Sequence, residues 1–174
     1  VGPDLLPFPR TRAALVHVAA NIGRMQDALA RPVLIENPSL YMPLKGHELT
    51  ETEFLAELVR ITGCGLLVDV NNVAVSAHNL GYSAVAYLDA LPAAAIGEIH
   101  LAGHAADERL GEALLIDTHG APVAESVWAL FARLVDRIGP RPTLIERDDN
   151  IPVFAALMAE RDRAHAILKA PVHA

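Results

Sequence analysis

Hydrophobic positions along this chain alternate between a helical and an extended period. From Thr11 to about Ala30, the residues Ala14, Leu15, Val18, Ala19, Ile22, Met25 and Leu29 recur every three or four positions. That spacing predicts a helix capped by the Thr11 hydroxyl. Pro32 to Glu36 then reads as a short apolar strand, stopped by Asn37-Pro38 because proline cannot donate to a ladder. After an irregular loop from Ser39 to Glu48, Thr50-Glu-Thr-Glu53 matches a capping box. It opens a helix that turns Phe54, Leu55, Leu58 and Val59 inward and stops at Gly63. Gly65 to Asn72 is expected to be a strand that becomes polar only at its end, with Leu67, Asp69 and Asn71 on one face. Val73 to Tyr82 reads as a loop with His78 on its surface, and Ser83 caps a short helix running to Leu91.

The strand at Gly97 to Ala102 would turn Ile99 and Leu101 toward covering helices, and Glu98, His100 and Ala102 to the other side. A long loop should lead from it to Asp117-Thr-His119, whose two ionisable side chains share a face if the segment is extended. Near Pro122 begins a strongly amphipathic helix through Val127, Trp128, Leu130, Phe131, Leu134, Val135 and Ile138, ended by Gly139-Pro140. Pro142 to Glu146 is the last strand, and Ile151-Pro152 introduces a final helix to about Leu168. His17, His165 and His173 read as packing or solvent-facing residues.

With no hairpin signal between them, helices and strands alternate, which argues for an α/β fold with a parallel sheet. In such folds ligands bind at the carboxyl ends of the strands. Glu36, Asp69, His100 and Glu146, one from each strand tip, would therefore converge, and Asp117 and His119 would join them. Carboxylates and imidazoles without thiolates suit iron, manganese or zinc, and two histidines with several carboxylates form a non-haem iron type of ligand set. More carboxylates than one divalent ion needs point to more than one metal, with the number left open.

Composition narrows the partners. The 174 residues are 52% hydrophobic, enough for one packed core. The formal charge of −7, from 14 basic and 21 acidic residues, disfavours nucleic acid. Cys64 has no second cysteine to pair with, as expected of a buried thiol in a reducing compartment. No apolar run reaches 18 residues and no signal peptide is evident, so a soluble cytoplasmic protein away from any membrane is expected. The first residue is Val1 and not Met, which hints at a preceding part.

Five ordered stretches carry a family resemblance: Glu36-Asn-Pro-Ser39, Leu67-Val-Asp-Val-Asn-Asn72, Gly97-Glu-Ile-His-Leu-Ala-Gly-His104, Ile116-Asp-Thr-His-Gly120 and Leu144-Ile-Glu146. From about Asp4 to about Leu168 the chain resembles the multinuclear non-haem iron-dependent oxidative enzymes, long catalogued as an uncharacterised bacterial family. That group includes the oxidase that matures the copper-chelating peptide methanobactin. The resemblance implies a TIM (β/α)8 barrel similar to the xylose isomerase superfamily, two or three irons, and dioxygen used to modify cysteine residues of a ribosomally made precursor peptide. A separate peptide-recognition protein commonly assists. Carried over residue by residue, it makes Glu36 a bridging carboxylate, with Asp69, Asn71, His100, Asp117, His119 and Glu146 as further ligands. His104 would be another ligand or lie behind one, and Asp148 would orient substrate or move a proton. Family members carry roughly a hundred residues before the equivalent of Asp4, as a full barrel of about 250 requires. Residues 1–174 would thus be the C-terminal half of a single barrel domain, about four βα units, lacking two histidine ligands and holding metal weakly when alone. Its exposed sheet edges would favour self-association or pairing with the missing half. Two other readings stay open: a divalent-metal sugar isomerase or epimerase on a similar barrel, and a non-catalytic half barrel that binds a partner.

Overall fold

The computed structural model describes residues 7–170; the start of the proline-rich N-terminal loop and His173 lie outside them. Helix α1 (Arg12–Leu29) begins where the Thr11 hydroxyl accepts the Ala14 amide, and it lies against α2 (Glu51–Thr62). The capping box of α2 forms as the sequence predicts, with Thr50 and Glu53 each satisfying the other's backbone amide. Leu15, Ala19 and Ile22 of α1 meet Phe54, Leu58 and Cys64 in one apolar cluster. The other α-helices among the described residues are α3 (Val70–Leu80), α4 (Ala84–Ala90), α5 (Glu125–Ile138) and α6 (Phe154–Lys169).

Four strands, β1 (Leu34–Glu36), β2 (Gly65–Asp69), β3 (Ile96–Leu101) and β6 (Thr143–Ile145), pair in the order β1-β2-β3-β6 and every pair is parallel. Alternation along each strand separates two faces. Leu66, Val68, Ile99 and Leu101 pack beneath Leu88, Val127, Trp128, Phe131 and Leu134 in the main core. On the opposite face the register sets Leu67 beside Glu98, Asp69 beside His100, and His100 in turn beside Leu144. Leu34 and Leu144, on the two edge strands, are 38% and 47% exposed.

Two sequence expectations fail. The strand through Asn72 ends at Asp69, and the supposed loop from Val73 is helix α3. Asp69 turns the chain because its Oδ1 accepts the Asn72 amide at 2.7 Å, and Val70, Val73 and Ala77 then bury one helical stripe. Asn71 consequently sits in the first turn of a helix and not on a strand face with Leu67 and Asp69. His78 closes the last turn of α3 and contacts the Glu112 carbonyl through Nε2 at 2.7 Å. The second failure is the long loop, which contains an antiparallel hairpin of β4 (Ala105–Asp107) and β5 (Gly111–Ile116). Asp107 Oδ1 accepts the amides of Arg109 and Leu110, and Gly111 takes φ +55°, so the tip has its turn chemistry after all. The Asn79 side chain holds β5 onto α3 by bonding both the amide and the carbonyl of Leu115.

Candidate metal centre

The carboxyl ends of the parallel strands meet because an asparagine fastens them. Asn37, buried just past β1, accepts the Asp69 amide and donates to the Asp69 carbonyl, both at 3.0 Å. Its own carbonyl accepts from Asn72 Nδ2 at 2.9 Å. Asn37 thus continues the β1–β2 ladder with side-chain atoms where Pro38 could not, and brings Glu36 beside Asp69. Ligand-capable atoms of Glu36, Asp69 and His100 lie within 4.8 Å of one another, as do those of Asp69, His119 and Glu146. Asp69 belongs to both groups.

His119 reaches the cluster from the segment after β5, which is not extended there: His119 has φ 51°. Its amide donates to the Gly103 carbonyl at 2.9 Å, and its carbonyl accepts from the Asp148 amide at 3.1 Å. The ring stands with Nε2 2.9 Å from Asp117 Oδ1 and Nδ1 3.3 Å from Glu146 and 3.2 Å from Asp148. Asp117 also accepts from Asn71 Nδ2 at 2.7 Å, which turns the Asn71 oxygen to His104 Nδ1, again at 2.7 Å. The amide that donates to a carboxylate presents an acceptor to His104, so His104 carries its proton on Nδ1. Among the described residues His104 is hydrogen-bonded to the cluster through Asn71, while Asp148 stands at its exposed rim.

The charges are crowded. Burial, above all, pushes the Asp69 carboxyl up to about 8, against the Asn72 amide that lowers it, and Asp117 and Glu36 add to the rise. Partial burial likewise raises Glu36, with His100 acting against it. His119 is raised to about 9, first by Asp117. Burial lowers His104. Arg147, next to Glu146, is committed to Glu160 at 2.9 Å.

Asp69 Oδ2, His100 Nδ1 and His119 Nε2 are buried and make no hydrogen bond of ordinary geometry among the described residues. Such atoms cost free energy unless another group satisfies them. Divalent cations held by the two groups would satisfy them, and an oxygen and imidazole donor set suits iron, manganese or zinc. The residues present fit a metal.

The sequence profile of the family described as RiPP precursor modification enzyme MbnB/TglH/ChrH matches residues 2–169. The chain belongs to that family. Relatives include a UPF0276 protein of a Caulobacter species, 76% identical over 166 residues, which cover 95% of this chain and 60% of the relative. A UPF0276 protein of Chromobacterium violaceum is 55% identical over 165 residues, covering 95% of this chain and 58% of the relative. The chain therefore spans about three fifths of the length of these curated relatives. No described helix is long and apolar enough to cross a membrane.

Asn37 is a site residue to which the sequence reading gave no role beyond stopping the strand and standing in the Glu36 to Ser39 stretch. Its signal was a buried-type amide directly after a carboxylate at a strand tip, preceding a proline.

Proposed function

We propose that the intact protein is a multinuclear non-haem iron enzyme that uses dioxygen to modify cysteine residues of a ribosomally made precursor peptide. Residues 1–174 supply the C-terminal half of its (β/α)8 barrel. The observation that carries this reading is the pair of overlapping clusters, Glu36-Asp69-His100 and Asp69-His119-Glu146, at the carboxyl end of a parallel sheet in a family of precursor-modifying enzymes. Two clusters sharing one carboxylate suit two ions better than one. Glu36, Asp69, His100, His119 and Glu146 would hold the irons, with Asp117 and Asn71 completing or orienting the set. When bound, the irons supply activation of dioxygen for oxidation of the cysteine.

The chain's own residues have the remaining work. Asp117 holds the His119 ring, Asn71 holds Asp117, and His104 keeps the Asn71 amide from flipping. Asp148, exposed and 3.2 Å from His119 Nδ1, stands where a peptide would enter and can take or return a proton there. The exposed Leu34 and Leu144 on the edge strands β1 and β6 are the surfaces the other half of the barrel would cover. A partner protein that presents the peptide completes the assembly in the cytoplasm.

The test is the full-length protein, loaded anaerobically with ferrous iron and mixed with a cysteine-containing precursor peptide and its recognition partner. Dioxygen uptake matched by a mass change confined to cysteine-bearing fragments is expected. Metal-dependent isomerisation of a sugar without dioxygen uptake would overturn the proposal.

A further inference from the structure

Glu98 precedes His100 by two residues on β3, so both side chains stand on the sheet face that the helices leave open. The two nitrogens of the buried His100 ring differ in their surroundings. Nε2 is hydrogen-bonded to Glu98 Oε1 at 3.4 Å. Nδ1 lies 3.1 Å from Glu146 Oε1 but makes no hydrogen bond. A neutral imidazole has one N–H and one lone pair, and an ionised carboxylate only accepts. A proton on Nε2 serves the Glu98 hydrogen bond and leaves the Nδ1 lone pair facing Glu146 Oε1, a pairing of two acceptors that a cation between them would satisfy.

We propose that Glu98 is a positioning residue that fixes the orientation and tautomer of His100, so that Nδ1 is presented to a metal held with Glu36, Asp69 and Glu146. The inference rests on the metal-centre reading above. Its chemistry is that of a metal-ligating histidine, which gives its second N–H to a carboxylate that locks the ring and raises its basicity. The position itself asks for an explanation. Glu98 neighbours Leu67 in register, where an apolar side chain would pack without desolvating a charge, and its one hydrogen bond among the described residues is to His100.

Cobalt(II) titration of the full-length protein against a competing chelator tests this, with the visible spectrum of bound cobalt as a second readout. Glu98→Ala is expected to weaken retention at the affected position by about 10- to 100-fold and to alter the cobalt spectrum. Glu98→Gln, which keeps an acceptor oxygen, should restore most of both. If Glu98→Ala does not fold, Glu98→Leu against Glu98→Gln makes the same comparison with side-chain volume conserved. Alanine or leucine variants with wild-type affinity and spectrum would overturn the proposal while leaving the metal centre intact. A wild-type protein that takes up no cobalt or iron would instead remove the metal centre on which it rests.

Discussion

Gly103 is where backbone packing and site geometry are most tightly joined, so Gly103→Ala is an informative perturbation. A Cβ at this position would lie 2.0 Å from the Ala121 carbonyl oxygen, 2.5 Å from its carbon and 2.8 Å from the Pro122 oxygen. The first distance falls short of the 3.4 Å of ordinary contact by 1.4 Å, and all three obstacles are backbone. The chain must move, since no side chain can swing aside. What moves with it is the Gly103 carbonyl that accepts the His119 amide, and this bond helps hold His119 at its left-handed φ. Overpacking of this kind costs about 3 kcal/mol, roughly a hundredfold in the unfolding equilibrium. Gly97→Ala is the control, because the three atoms nearest the added Cβ all belong to the Leu34 side chain, the first at 2.9 Å at its flexible end. Urea denaturation monitored by Trp128 fluorescence, together with iron content of the full-length protein, measures both effects. A lower midpoint and lost iron are expected for Gly103→Ala, with little change for Gly97→Ala. Equal midpoints and equal iron in the two variants would refute the reasoning.

Three further outcomes follow from the same structure. Phe131 of α5 is fully buried in the main core, and Phe131→Ala should cost about 3–5 kcal/mol, read as a drop in denaturation midpoint; a change below about 1 kcal/mol would mean the core is packed elsewhere. Thr50→Ala removes one half of the α2 capping box and should cost about 1 kcal/mol, while Thr50→Ser should be close to neutral in the same melt. Asp69, raised to about 8, and His119, raised to about 9, both retain protons at neutral pH in the metal-free protein. Each folded-state value lies above its unfolded one, so metal-free stability should fall as pH rises, from about 4 for Asp69 and through about 9 for His119. Metal uptake must displace these protons, so affinity should rise with pH, and calorimetry at pH 7 in buffers of different ionisation enthalpy should show proton release; buffer-independent heats would count against these protonation states.

The sequence made the parallel α/β arrangement and the strand-tip carboxylates legible because both depend on local signals. The Thr50 capping box, the Val127 to Ile138 stripe and the polar ends of the strands each fit within a dozen residues. Misreadings arose where one residue serves two elements. Asp69 ends β2 and caps α3, and the apolar valines after it fit a strand as well as the helical spacing of Val70, Val73 and Ala77. The β4–β5 hairpin was obscured because its strands are short and its tip, Asp107 to Gly111, lies among charged residues that also suit a loop. Tertiary pairings were out of reach altogether. Nothing near Asn37 announces that it will bond Asp69, 32 positions away, and nothing near His104 announces that it meets Asn71.

The central claim is that two overlapping ligand groups share Asp69, and it can be seen directly. Full-length protein reconstituted with ferrous iron without dioxygen and crystallised would be measured with X-rays on either side of the iron absorption edge. The account predicts anomalous peaks at both groups, one coordinated by Glu36, Asp69 and His100 and another by Asp69, His119 and Glu146. Iron bound only elsewhere, or ordered density for these side chains with no anomalous signal between them, would contradict it.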